Sequence, residues 1–276
     1  MLIIALLFAS AVPNVRVPGG HGSVPVSCIT AMANGGTFDV ANTHVAGCRN
    51  YTSGSLSRPQ VQIYAADVHL KSTSPLTSFT ADWYVPPLPT EHPAFGSQVV
   101  YFWPGFKASQ PEMGYPVLQP VLQYGERGRE WALQSWFVDA NDMRYPVVTA
   151  PAISVKPGHH ITSSMSQSAD GRTWTVSGTN KDTGEDSTLH IAYAKAGDTD
   201  YDYAMLVNEN INVDTHCTYM PASSNVTFFN VTVNGQSSPP WTTRANCAGD
   251  QRCDCGNSAS VAPNGDVTLG WKTGSA

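Results

Sequence analysis

The chain has 276 residues, 15 Lys and Arg against 21 Asp and Glu, and a net charge of −6. Charged residues make up only 13% against 41% hydrophobic, about half the usual charged share, which excludes a charge-rich disordered chain. No Lys/Arg run supplies the clustered cations of a nucleic-acid groove, and the length suits one large β domain or two small ones without forcing a split.

Residues 1–11 read Met-Leu-Ile-Ile-Ala-Leu-Leu-Phe-Ala-Ser-Ala. This stretch is too short to span a bilayer and ends on the small-x-small pattern of signal cleavage, though it lacks a basic start. A secreted protein is expected, with no membrane partner. Residues 12–60 are rich in Gly, Ser, Asn and Pro. They read as a loop-rich N-terminal extension or pro-segment, ahead of a β domain over 61–276.

Six cysteines, Cys28, Cys48, Cys217, Cys247, Cys253 and Cys255, fit an oxidising compartment and allow 15 pairings. Proximity suggests Cys28–Cys48, with the other four tying the C-terminal region to the strand after Glu209. Cys253-Asp-Cys255 lacks a second ligand pair, so disulfides are preferred to a metal. The sequons at Asn50, Asn225 and Asn230 are candidate glycosylation sites of a secreted chain.

From Val61 the pattern alternates with period two, the mark of half-buried strands. The expected strands are 60–70, 78–85, 98–103, 117–124, 131–138, 152–155, 160–168, 173–180, 187–194, 203–211, 226–233 and 267–271. Asp170-Gly171 marks a hairpin. No window shows capped helical periodicity. The expected fold is all-β, an antiparallel β-sandwich of the concanavalin A-like or jelly-roll kind with disulfide-pinned loops.

Pro116-Val-Leu-Gln-Pro-Val-Leu-Gln-Tyr124 carries the chemistry. In an extended strand Val117, Gln119, Val121 and Gln123 share one face, and Leu118, Pro120, Leu122 and Tyr124 the other. The apolar face belongs to the core, and the glutamine face looks into a groove or solvent. Pro120 cannot donate to a ladder, so a bulge or unpaired stretch is expected there.

The neighbouring segments come in a set order. Ala81-Asp-Trp-Tyr-Val-Pro86, Val100-Tyr-Phe-Trp-Pro-Gly105, Val117-Leu-Gln119 and Ala132-Leu-Gln-Ser-Trp136 are followed by Asn180-Lys-Asp-Thr-Gly184, Ala204-Met-Leu-Val-Asn-Glu209 and Asn225-Val-Thr-Phe-Phe229. This order resembles the fungal glutamic peptidases (eqolisins), with their x-x-V-P, W-V-G, I-L-Q-T-G, A-W-Y-E-W, N-x-T-T-G, A-E-W-I-V-E and G-T-V-T-F segments.

The resemblance implies a secreted acid endopeptidase acting on polypeptides. Glu209 would be the general base and then acid, and the Gln119 amide would hold the developing oxyanion. Trp103, Gln123 and Trp136 would line the substrate groove, and Gln123 shares a face with Gln119 and could take its place. The chain departs from the pattern at Pro120, Gln123 and Ser135, where the family has threonine, aspartate and glutamate.

The alternative is a carbohydrate-binding or carbohydrate-active sandwich, using Trp83, Trp103, Trp131, Trp136, Gln119 and Gln123 on a polysaccharide. It lacks the E-x-D-x-x-E strand of retaining glucanases. The eight histidines show no H-x-H or H-E-x-x-H spacing, so neither metal nor other cofactor is expected. A monomer is expected.

Overall fold

Alternation in the sequence becomes alternation in burial. Along Thr173–Asn180 every second residue, from Trp174 to Asn180, is buried and those between are half-buried. The computed structural model describes residues 14–18, 22–40, 62–93, 98–108, 116–125, 128–139, 147–198, 200–213, 216–245 and 255–274. The expected leader over 1–11, the sequon Asn50, and Cys48, Cys247 and Cys253 lie outside the described residues.

The strands open with β1 (Asn14–Val17), β2 (Gly22–Pro25), β3 (Ile29–Ala31), β4 (Gly36–Asp39), β5 (Gln62–Lys71), β6 (Ser78–Tyr84) and β7 (Val99–Lys107). Next come β8 (Pro116–Tyr124), β9 (Trp131–Asp139), β10 (Val147–Thr149), β11 (Ile153–Val155), β12 (His160–Gln167), β13 (Thr173–Asn180) and β14 (Asp186–Ala192). The last are β15 (Tyr203–Ile211), β16 (Asn225–Val233), β17 (Thr242–Ala245), β18 (Ser258–Val261) and β19 (Val267–Gly270). Among the described residues the helical turns are short 3-10 turns such as Val26–Cys28 and Cys217–Tyr219.

Two sheets stack as an all-β sandwich. The first runs β17-β5-β15-β7-β8-β9-β10-β3, with β11 also on β9; the second runs β18-β19-β16-β6-β12-β13-β14-β4. Leu118, Leu122, Phe102, Phe106, Trp131, Leu133 and Phe137 of the first sheet meet Phe79, Trp83, Trp174, Val176 and Leu189 of the second in the main core. Gly178 on β13 lets the sheets close: a Cβ there would sit 3.0 Å from the Leu133 side chain. Beside it Ser135 donates to the Ser187 carbonyl at 2.6 Å, and the Ser187 hydroxyl accepts the Ser135 N–H at 2.9 Å.

The stretch expected to be loop-rich contributes strands that the sequence pattern did not reveal. β3 pairs in parallel with β10 in the first sheet, and β4 in parallel with β14 in the second. The β1–β2 hairpin lies on the outer face of the first sheet, where Val17 and Val24 join a second apolar cluster with Trp103, Val121, Trp136 and Val207. This cover explains why every residue of β8 is buried.

Cys217–Cys255 links two segments 38 residues apart, in the direction expected, from the stretch after β15 to the C-terminal region. Cys28 is disulfide-bonded too, and its expected partner Cys48 falls outside the described residues. β7 runs on through Pro104 and Gly105, past the expected end at Trp103. Its pairing with β8 stops at Phe102↔Leu122 and resumes at Phe106↔Leu118. That register sets Pro104 opposite Pro120, so both missing N–H groups fall in the unpaired stretch.

Substituting Gly178→Val will drive a side chain into Leu133 and cost about 1–3 kcal/mol. Urea unfolding measures this, and an unchanged midpoint would show that the sheets are not held this close.

Candidate functional site

The outer face of the first sheet is built from cross-strand rows. Glu209 on β15 pairs with Tyr101 on β7, Tyr101 with Gln123 on β8, and Gln123 with Ala132 on β9. A second row starts at Met205, which pairs with Gly105. The β7–β8 register carries it to Gln119, which pairs with Trp136. Between them runs Asp67–Val207–Trp103, and Val121 opposite Gln134 continues it. Glu209 also sits at a bulge: Asn208 pairs with Ala66 but Glu209 with Tyr64, leaving Ala65 extra on β5.

Gln119 and Glu209 therefore share a face, but they stand in different rows. Four residues along a strand is about 13 Å, and the two side chains are also two strands apart. Gln123 is the glutamine that the register aligns with Glu209, across Tyr101. The alignment in which Glu209 falls on the last glutamate of A-E-W-I-V-E puts the motif's first glutamate at Met205, in the Gln119 row.

Trp103 joins the two rows. A Cβ on Gly105 would lie 2.7 Å from Trp103 Cζ3 and 2.8 Å from Cε3, so the six-membered ring rests against bare glycine. From there Nε1 donates to Glu209 Oε2 at 2.9 Å. Trp103 and Glu209 are both wholly buried, 0% exposed, so this bond is made out of contact with water.

The amides differ in their bonding. Gln123 Nε2 donates to Gln134 Oε1 at 3.0 Å, and Gln134 Nε2 donates to the Ala150 carbonyl at 2.7 Å. Gln119 is 0% exposed, and among the described residues neither its Nε2 nor its Oε1 has a hydrogen-bond partner. Such a group costs about 1–3 kcal/mol to bury. Trp136 Nε1, in the same row, is likewise without a partner.

Of the three departures from the peptidase pattern, two lie off this face. Pro120 and Ser135 pair with each other and point toward the second sheet, Ser135 to bond Ser187. Only Gln123 stands on the outer face, in the row of Glu209. Trp83 and Trp131, candidates for a sugar platform, lie in the core between the sheets.

Two groups on the face were not singled out from sequence. Gln134 orders Gln123, and the period-two pattern of Trp131–Val138 sets it beside Trp136. Asp67, a wholly buried carboxylate, accepts from Arg244 Nε at 2.9 Å and lies 3.1 Å from His69 Nδ1. A charged residue within the alternation of 62–71 was its signal. At the end of the face beside Arg244, burial and then the Arg244 charge hold the Lys107 ammonium below the usual lysine range. Among the described residues no three His, Cys, Asp or Glu side chains are grouped to hold a metal ion.

No protein-family model and no curated protein matches the chain in sequence. Solved structures do. A crystal structure of scytalido-glutamic peptidase with a transition state analog inhibitor is 13% identical, covers 75% of this chain and 97% of its own, and superposes with a TM-score of 0.53. A structure of Scytalido-glutamic peptidase with a peptide-based transition state analog is 14% identical, with coverage of 76% and 100% and a TM-score of 0.52. The chain thus has the sandwich fold of a glutamic peptidase.

Replacing Gln119 by Leu removes the unpartnered amide at nearly constant volume. It will leave stability unchanged or raise it by about 1 kcal/mol, read as a shift in the urea midpoint. A loss of 2 kcal/mol or more would mean that the amide is bonded in solution.

Proposed function

We propose that the chain is a secreted acid endopeptidase in which Glu209 acts first as general base and then as general acid. The observation that supports this best is the Trp103–Glu209 bond, which fixes a buried carboxyl group beside the apolar cluster of that face. Water held by Glu209 attacks the peptide carbonyl, and the carboxyl group returns the proton to the leaving amine. The developing oxyanion needs an N–H donor close to Glu209. Gln123, in the same row, takes that part, with its orientation set by Gln134. Gln119, about four residues of extended peptide further along, receives the substrate backbone on its unpartnered amide.

Substrate cannot enter while β1–β2 covers the face. The hairpin must lift at Pro25, and β3 and β4, paired into the two sheets, stay in place. The full chain is then a latent form, and loss of residues 1–25 opens it.

A second reading is a peptide-binding protein without hydrolysis. Met205 supports it, since the side chain that shares a row with Gln119 is a thioether where the quoted motif has a glutamate. The sugar-binding alternative has less support, because two of its four tryptophans face the core.

Hydrolysis of denatured protein across acidic pH, compared for the full chain and a chain beginning at Val26, tests the proposal. The shortened chain will be at least tenfold more active. In it Glu209→Gln will lose about a thousandfold or more, Gln123→Ala about a hundredfold in kcat, and Gln119→Ala chiefly in KM. Activity that survives Glu209→Gln sinks the mechanism. A shortened chain that binds peptides in calorimetry but cleaves none establishes the second reading.

A further inference from the structure

The outer face of the second sheet carries a feature that the proposed chemistry does not use. Neighbouring residues of a strand point to opposite faces, yet on β16 Phe228 is buried, Phe229 half-buried, Asn230 exposed and Val231 buried again. The register against β6 shifts between Phe229 and Thr232, and Asn230 has φ +51°, a left-handed conformation that asparagine tolerates better than most residues. This bulge turns two consecutive side chains, Phe229 and Asn230, outward together. Phe228 stays in the core against Trp83, with ring centroids 5.2 Å apart.

Phe229 does not stand alone there. Its ring lies 5.4 Å from Tyr84 and 5.6 Å from His160, which are themselves 5.2 Å apart. Tyr84 is 56% exposed, the most open of the large apolar side chains on the described surface. Asn230 Nδ2 donates to Asp82 Oδ2 at 2.9 Å, and Asp82 stands two residues before Tyr84 on β6. Asn230-Val231-Thr232 is a sequon, and its threonine hydroxyl bonds Thr80 at 2.7 Å on the same face.

We propose that Asn230 carries an N-linked glycan whose first sugar rests on the Tyr84–Phe229–His160 surface, an inference that depends on the chain entering a secretory pathway. The donor is a polyprenyl-diphosphate-linked oligosaccharide. An Nδ2–C1 bond forms, and the C1–O bond to the diphosphate breaks. The diphosphate leaves with the electron pair, and Nδ2 gives up one proton. The remaining N–H still donates to Asp82, so the side chain keeps the direction it has now. The apolar C–H face of the sugar then covers ring surface that is otherwise open to water. The bulge explains why this sequon and not its neighbour is suited to the role: Asn225 opens the strand and donates to the Ser224 hydroxyl at 3.3 Å.

The test uses residues 1–276 behind a heterologous secretory leader, so that failure of the chain's own N-terminus does not enter. Asn50 and Asn225 are changed to Gln. Glycopeptide mass spectrometry will find Asn230 occupied in most molecules. Against the same sequence made without glycan in a bacterial periplasm, the glycosylated protein will melt about 2 to 4 °C higher. That gain will vanish in Tyr84→Ala and persist in Tyr84→Trp. An unoccupied Asn230 in secreted protein overturns the proposal, as does a gain in melting temperature that Tyr84→Ala leaves intact. With Asn50 and Asn225 restored, glycan on either of them but not on Asn230 overturns the site while leaving secretion standing.

Discussion

The outer face of the first sheet depends on a tryptophan lying against a glycine. Trp103 reaches Glu209 because Gly105, two residues on and on the same face, offers no side chain to hold the ring away. A buried carboxylate is costly unless a donor meets it, and the indole N–H is one. The adjoining arrangement follows from the same requirement. β7 must continue through Pro104 and Gly105 to present the glycine, and the strand survives its proline because the unpaired stretch faces Pro120.

The central strands of the first sheet, β7, β8 and β15, are buried on both faces, an unusual state for antiparallel strands. One face meets the second sheet, and the β1–β2 hairpin covers the other. The cover creates a second apolar cluster and places polar groups inside it. Glu209 and Gln123 have hydrogen bonds there, whereas Gln119 has none among the described residues. Unsatisfied polar atoms in an otherwise well-packed interior are where stability is given up for another purpose. In this molecule the Gln119 amide and Trp136 Nε1 are two such groups, paired across β8 and β9 on the face that the peptidase resemblance singled out.

Much of the fold was legible because side-chain alternation is a local property. The expected strands over 78–85, 117–124, 131–138, 173–180 and 203–211 match β6, β8, β9, β13 and β15 to within a residue or two. The short strands β1 to β4, β10, β17 and β18 were not, since three or four residues carry too little pattern and these owe their order to the strands beside them. The extension of β7 was hidden for a different reason: Pro-Gly reads locally as a stop, and only the partner strand reveals that no ladder bond is needed there.

The sequence by itself determined which residues share a face: Gln119 with Gln123, and Leu118 with Leu122, because a strand's pleat has a fixed period of two. It could not determine which residue stands beside which across strands, since register is set by long-range pairing. Tertiary structure alone placed Glu209 in the row of Gln123 and Met205 in that of Gln119. It turned Pro120 and Ser135 out of the groove and laid the N-terminal hairpin over it. Each of these depends on segments distant in the chain meeting, which a local pattern does not encode.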